Sequence, residues 1–253
     1  MTKKIQRRKT DPAFLKLLVI LIVLMIAGTY YFQRMSSIHV ESGDQIQVID
    51  VSRWNGKINW KKVKKSDIYY AMLRIGRGAQ DSSGMAEDSY FYQNYQSGRS
   101  YNMKMGVYFY SHAETTKEAK KEAEYCLGLL EKYGIKPKDL AMPVAYDVEE
   151  ESIFATGKNN VTKVTKTFCD AIEDVGYTPM VYSSASSLMQ YFKHSTIKNY
   201  KIWVAHYGVE ESGPSYPYHY DMWQYTSEGI VPGANTSKKD HVGNCDINYY
   251  IVE

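Results

Sequence analysis

Met142-Pro143-Val144-Ala145-Tyr146-Asp147-Val148-Glu149 is an apolar, strand-like run that ends in two carboxylates two positions apart. Side chains two apart on a strand share a face, so Asp147 and Glu149 project together from its end, their backbones roughly 6.5 Å apart. Glu150 and Glu151 follow, and from this segment alone an acidic strand-to-loop exit is an equally good reading. The rest of the chain decides.

Strands and helices alternate on both sides of that run. Gln45 to Val51, Ile68 to Ile75 and Met105 to Ser111 are strand candidates upstream of it. Pro179 to Ser183, Lys201 to His206, Met222 to Tyr225 and Asp246 to Ile251 are strand candidates downstream. Between them, Trp60 and Val63 mark a short helix, and Phe91 and Tyr95 mark one that ends near Gly98. The clearest helix runs from Thr115 to Tyr133: Thr115 and Glu118 make a capping box, Ala119, Ala123, Cys126, Leu127 and Leu130 form one face, and Gly134 stops it. Val161, Val164, Phe168 and Ile172 give another amphipathic helix, closed by Gly176, and a shorter one spans Leu188 to Phe192. Eight strand candidates with helical or irregular segments between them point to a parallel (β/α)8 barrel rather than an open doubly wound sheet. In such a barrel function sits at the C-terminal strand ends, where Asp50, Arg74, His112, Asp147 with Glu149, Tyr182, His206 and Gln224 all fall.

The chain's 253 residues are enough for one large domain, and its formal charge of +3 is unevenly spread. Lys3, Lys4, Arg7, Arg8, Lys9, Lys16 and Arg34 against Asp11 put +6 into the first 34 residues, which leaves −3 for the remainder. A mildly acidic body lacks the basic stripe that nucleic acid binding needs. After the basic head, Phe14 to Phe32 contains a single charge, Lys16. As a helix this run is about 28 Å long, close to the hydrocarbon thickness of a bilayer. It reads as a retained transmembrane anchor rather than a cleaved signal peptide, because Ala27-Gly28-Thr29 is a poor cleavage site and Tyr30-Tyr31-Phe32 follow it. The positive-inside rule then makes residues 1–13 a cytoplasmic tail, 14–32 the anchor, 33–44 a linker and 45–253 an extracytoplasmic domain. Cys126, Cys169 and Cys245 are too few for a disulfide framework, and no CxxC or HExxH spacing marks a metal site.

Two neighbouring carboxyls cannot both ionise cheaply, so one pKa rises and the other stays low. A proton donor beside an anion is what cleavage of a glycosidic bond requires. The 24 tyrosines and 4 tryptophans fit sugars, whose apolar faces and hydroxyl edges suit flat rings with polar tips. Tyr182, Trp203, Tyr207, Trp223 and Tyr225 cluster at or near strand ends. Gly76-Arg77-Gly78 lacks the rest of a dinucleotide or phosphate-binding pattern, and Ser183-Ser184 lacks a GxSxG context.

Five ordered segments then carry a family resemblance: Val48-Ile49-Asp50-Val51-Ser52-Arg53-Trp54-Asn55-Gly56-Lys57-Ile58-Asn59-Trp60, Pro143 to Glu149, Trp203-Val204-Ala205-His206-Tyr207, Met222-Trp223-Gln224-Tyr225-Thr226-Ser227 and Cys245-Asp246-Ile247-Asn248. The chain resembles glycoside hydrolase family 25, the lysozymes that act as N-acetylmuramidases. The resemblance implies a modified (β/α)8 (TIM-like) barrel behind the single N-terminal transmembrane helix. It implies hydrolysis of the β-1,4 bond from N-acetylmuramic acid to N-acetylglucosamine in peptidoglycan. By position, Glu149 matches the general acid and Asp147 its carboxylate partner, either a nucleophile or a helper that orients the substrate's acetamido group. Asp50 and Asp246 match two supporting acidic residues, and Tyr108, Tyr182, Tyr207, Trp223, Gln224 and Arg74 are the expected substrate contacts. The chain departs from the family pattern at Asn55, where Gln is usual, and at Tyr108-Phe109-Tyr110, where Tyr-His-Phe is usual; Arg77 lies in a variable stretch.

The expected protein is a muramidase of a bacterial cell membrane, with no metal or organic cofactor and with peptidoglycan and the membrane as partners. Such a tether suits local wall remodelling or the opening of the wall within an export apparatus. A wall-binding module without turnover, and a hexosaminidase on another N-acetylated polysaccharide, are the alternatives.

Overall fold

Alternation of side chains across each strand sorts the chain into two apolar layers in the computed structural model, which describes residues 19–25, 43–80, 82, 84–209, 213–234 and 244–252. Val48, Met72, Tyr108, Ala145, Met180, Tyr182, Trp203 and Met222 belong to one cluster. Their strand neighbours Ile49, Leu73, Val107, Phe109, Tyr146, Val181, Ile202 and Val204 belong to a second, larger one. The first fills the inside of a closed barrel, and the second lies between the barrel and its helices.

The strands are β1 (Gln45–Val51), β2 (Tyr70–Arg77), β3 (Ala86–Glu87), β4 (Lys104–Tyr110), β5 (Val144–Asp147), β6 (Pro179–Ser184), β7 (Lys201–Ala205), β8 (Met222–Gly229) and β9 (Cys245–Ile251). They follow the order β1-β9-β8-β7-β6-β5-β4-β2-β3, and an additional β1–β2 pairing closes the barrel. Short β3 sits outside that ring, antiparallel to β2. A register shift between Arg74 and Gly76 on β2 re-aims the strand so that Arg77 comes to lie opposite Tyr110 of β4.

The described helices are α1 (residues 19–25), α2 (Trp60–Lys64), α3 (Phe91–Ser100), α4 (Thr116–Lys132), α5 (Glu151–Ala155), α6 (Lys158–Glu173), α7 (Ala185–Tyr191) and α8 (His194–Ile197). Helix α4 begins at the expected capping box, in which Thr115 Oγ1 accepts from Glu118 N at 3.3 Å and Glu118 Oε2 accepts from Thr115 N at 2.9 Å. On α6, Val161, Val164, Phe168 and Ile172 are fully buried, and Phe168 stacks on Tyr146 of β5 with ring centroids 3.9 Å apart. All three cysteines are free and buried.

The expected all-parallel (β/α)8 barrel is corrected, and the transmembrane helix expected before it is not borne out among the described residues. Seven strands of the ring run parallel, but β9 is antiparallel to both β8 and β1. Among the described residues no helix follows β7 or β8. The β7–β8 connection carries Gly208, Gly213, Pro214 and Pro217, which do not sustain a helix, and an antiparallel return needs no helical crossover. The result is a mixed eight-stranded closed barrel. Among the described residues no helix is long and apolar enough to cross a membrane. Helix α1 covers residues 19–25 of the expected 14–32 span, about 10 Å of helix. The rest of that span, the 1–13 tail and residues 33–42 of the linker lie outside the described residues. Residues from Gly43 onward make up one compact unit.

Close packing of β4 leaves no room at Gly106, where an added Cβ meets Met72 Sδ and Pro143 O at 2.6 Å and Met142 Cβ at 2.8 Å. Gly106→Ala is therefore expected to destabilise the barrel by about 1–3 kcal/mol, which the urea-unfolding free energy measures.

Candidate active site

The same alternation that fills the barrel builds its mouth. One pleat beyond Val48 on β1 comes Asp50; one beyond Met72, Arg74; one beyond Ala145, Asp147; one beyond Met180, Tyr182; and one beyond Met222, Gln224. The inner methionine layer thus gives way to a polar layer at the C-terminal strand ends. These residues, with Glu149, Tyr108, Tyr207 and Asp246, line one cavity of about 420 Å³.

Asp50 organises the floor. Its Oδ2 accepts from Gln224 Nε2 at 3.0 Å and from Asn248 Nδ2 at 2.8 Å, and it is paired in register with Asp246 across β1 and β9. Gln224 Oε1 accepts the hydroxyls of Tyr182 at 2.8 Å and Tyr207 at 2.6 Å, so one amide orients two tyrosines and a carboxylate. Asn248 Oδ1 accepts from Trp203 Nε1 at 2.8 Å. Asp246 shares a hydrogen bond with Asp50, and burial together with the Asp50 charge pushes its pKa up to about 9. At neutral pH Asp246 therefore holds the proton of the pair and donates it to Asp50.

Asp147 ends β5, while Glu149 lies past the strand, in the short segment before α5, rather than on the strand as expected. The two differ sharply in exposure: Asp147 is 5% exposed, whereas Glu149 is open to solvent. Burial first, and then the charges of Glu149 and Asp50, raise the Asp147 pKa well above the carboxylate range. Its Oδ1 is buried and has no hydrogen-bond partner. The Glu149 pKa is also raised, chiefly by desolvation, and a hydrogen bond from Tyr110 offsets part of this. The Tyr110 hydroxyl donates to Glu150 Oε1 at 2.8 Å, so its single proton stands between the two glutamates.

Arg74 is held by Asp88, with Nε at 2.9 Å and Nη2 at 2.8 Å from Oδ2, and its charge lowers the pKa of both Asp147 and Glu149. Buried Glu122 on α4 braces the loop after β4, accepting from His112 N at 2.9 Å, Ser111 Oγ at 3.0 Å and Tyr146 OH at 2.6 Å. A second cavity of about 720 Å³ shares Glu149, Tyr182 and Tyr207 with the first and continues past Phe154, Ser184 and Met189. Glu149 therefore stands between two stretches of one extended groove.

Trp223 is the expected contact that the fold directs elsewhere. Its indole donates to His206 O at 2.8 Å and its ring packs near Tyr225 and Tyr249, because it occupies the face of β8 opposite to Gln224. Asn55, where the chain departs from the family pattern, serves the turn after β1: it accepts from Ser52 N and donates to Ala234 O. Sequence reasoning missed Asn248, Asp88 and Tyr110. Asn248 lies two residues after Asp246 on the same strand, so the alternation rule applied to β9 finds it; Asp88 has no local signal.

An exposed acid beside a buried carboxyl, midway along an extended aromatic groove, is the apparatus of a glycoside hydrolase. The chain belongs to the glycosyl hydrolases family 25, whose model matches residues 49–234. It is 26% identical over 220 residues to the uncharacterized protein YegX of Escherichia coli O157:H7, covering 82% of this chain and 73% of YegX. Identity to the autolytic lysozyme of Clostridium acetobutylicum is 22% over 189 residues, 75% of this chain and 53% of that lysozyme. The modular autolysin LytC from Streptococcus pneumoniae, solved in complex with a synthetic peptidoglycan ligand, superposes with a TM-score of 0.66 at 25% identity, covering 83% of this chain and 48% of LytC.

The Asp246 shift gives a pH signature. The folded state holds this proton more tightly than the unfolded chain, so the stability it contributes is full below pH about 4 and is lost as pH rises toward about 9. Asp246→Asn is expected to flatten the fall in urea-unfolding free energy across that window. A slope equal to that of the parent protein contradicts the assignment.

Proposed function

We propose that this glycoside hydrolase is a peptidoglycan hydrolase that cleaves the β-1,4 bond from N-acetylmuramic acid to N-acetylglucosamine, with Glu149 as general acid. The observation that carries the reading is the contrast within the pair: Glu149 is open to the groove and Asp147 is buried beneath it. Desolvation shifts Glu149 toward the protonated form that the leaving oxygen needs, and the groove on both sides accommodates a polymer. In its ionised form, which the nearby Arg74 charge favours, Asp147 stabilises the positive charge that develops on the sugar. Its unpartnered Oδ1 favours the role of acetamido-orienting carboxylate, since an acetamido N–H supplies the donor that the protein lacks. Asp50 and Asp246 hold the floor in one protonation state. The lysozyme names of the C. acetobutylicum relative and the peptidoglycan ligand of LytC support the substrate class.

The place of action follows from the substrate. The proposed localisation is the cell membrane of a bacterium, with residues 45–253 as the catalytic domain on the outer side and residues 1–13 inside. The apolar run Phe14 to Phe32 behind its basic head supports this, and so does a substrate that exists only outside the cytoplasm.

Incubating the full chain with peptidoglycan and identifying the new reducing ends is the test. Muramic acid at those ends is expected; glucosamine would indicate a different hexosaminidase, and binding without cleavage a wall-binding module. Glu149→Gln should lower kcat by about 10²–10⁴, and Asp147→Asn by about 10²–10³, with the urea-unfolding transition retained. For localisation, protease added to intact cell-wall-free protoplasts is expected to digest the catalytic domain; full protection contradicts an outer location.

A further inference from the structure

The floor of the cleft is acidic, but part of its rim is basic. Arg53 and Arg77 line the same cavity as Asp147 and Glu149. Arg74, below them, is fully engaged by Asp88, whereas among the described residues neither Arg53 nor Arg77 forms an ion pair. Arg77 Nε is buried and has no hydrogen-bond partner, and Nη1 reaches only the carbonyl of Gly78, at 3.1 Å. A buried guanidinium donor with no acceptor carries a desolvation cost that an incoming anion removes.

Both arginines are positioned by backbone. The shifted register of β2 sets Arg77 opposite Tyr110 on one side and Ala86 on the other. Two residues beyond Ala86, Asp88 Oδ2 accepts from Arg53 N at 2.8 Å. The Arg53 guanidinium lies over the Trp54 ring, 4.6 Å from its centroid. Two forked cations thus flank the β3–Asp88 segment beside the cleft, and a guanidinium fork is the group that pairs with a planar carboxylate.

On the hydrolase reading above, the sugars of the substrate are neutral. Its anionic groups are the carboxylates of the peptide amide-linked to muramic acid. We propose that Arg77, with Arg53 beside it, forms an anion subsite for a carboxylate of that peptide, so that the enzyme discriminates between acidic and amidated wall peptides. The inference rests on the hydrolase reading for its ligand and on the unpaired guanidiniums for its place.

The test uses the full chain carrying Glu149→Gln, which binds without turnover, and isothermal titration with N-acetylmuramoyl-L-alanyl-D-glutamate. The comparison ligand is the same compound with its glutamate carboxylates amidated. The acidic compound is expected to bind about tenfold more tightly than the amide. Adding Arg77→Gln should abolish that preference, while Arg77→Lys, which keeps the charge and loses the fork, should restore only part of it. Arg53→Gln, on an exposed turn, should reduce the preference about threefold and serves if the Arg77 variants fail to fold. Equal affinity for the two compounds, or a preference that survives both Arg77→Gln and Arg53→Gln, overturns the subsite. Affinity for glycerol phosphate that equals or exceeds that for the glutamate compound and depends on Arg77 overturns its assignment to peptide. A parent protein that releases no muramic acid ends from peptidoglycan sinks the hydrolase reading. Release of those ends together with indifference to the glutamate charge sinks only the subsite.

Discussion

Asp50 is the point through which both barrel and site are tied together. A carboxylate 4% exposed inside a barrel is costly unless its lone pairs are met, and it is met by Gln224, Asn248 and protonated Asp246. Those partners come from β8 and β9, at the opposite end of the chain from β1. The same contacts fix the Gln224 amide, and through it the hydroxyls of Tyr182 and Tyr207 that flank Glu149 in both halves of the groove. The indole of Trp203 enters the same chain through Asn248. Removing Asp50 would leave two buried amides and an acid without their acceptor, so its demand for donors is structural and chemical at once.

How an array of like carboxyls avoids mutual repulsion is answered by graded exposure. Asp246 keeps a proton, Asp50 is stabilised by three donors, Asp147 is buried with one oxygen unmet, and Glu149 reaches solvent with Tyr110 and Arg74 near it. Environment assigns different tasks to residues of one chemical type, as a glycosidase requires.

Much of this was legible in the chain because period-two alternation is a local property. Asp50, Arg74, Asp147, Tyr182 and Gln224 were found by asking which residues end an apolar strand, and they converge. Trp223 was misread because a ring at a strand end looks like a sugar platform whichever face it takes; only the phase set by its neighbour Gln224 tells the faces apart. Strand direction was not legible either. Nothing in Cys245-Asp246-Ile247-Asn248-Tyr249-Tyr250-Ile251 states whether it runs with or against β1, and the parallel count failed there. Asp88 and the short β3 escaped notice because their role is set by contact with Arg53 and Arg74 across the fold.

The reversed strand has a consequence in time. Asp246 and Asn248, two of the three partners of Asp50, lie on β9, which also fills the last gap between β1 and β8. A chain still on the ribosome, with β1 to β8 made but β9 not yet emerged, has an open sheet edge and an Asp50 short of its donors. Its cleft cannot take the arrangement described above. Assembly of the site thus waits for the final strand of the ring, and a chain that ends before β9 lacks both the closing strand and two of the partners that fix Asp50.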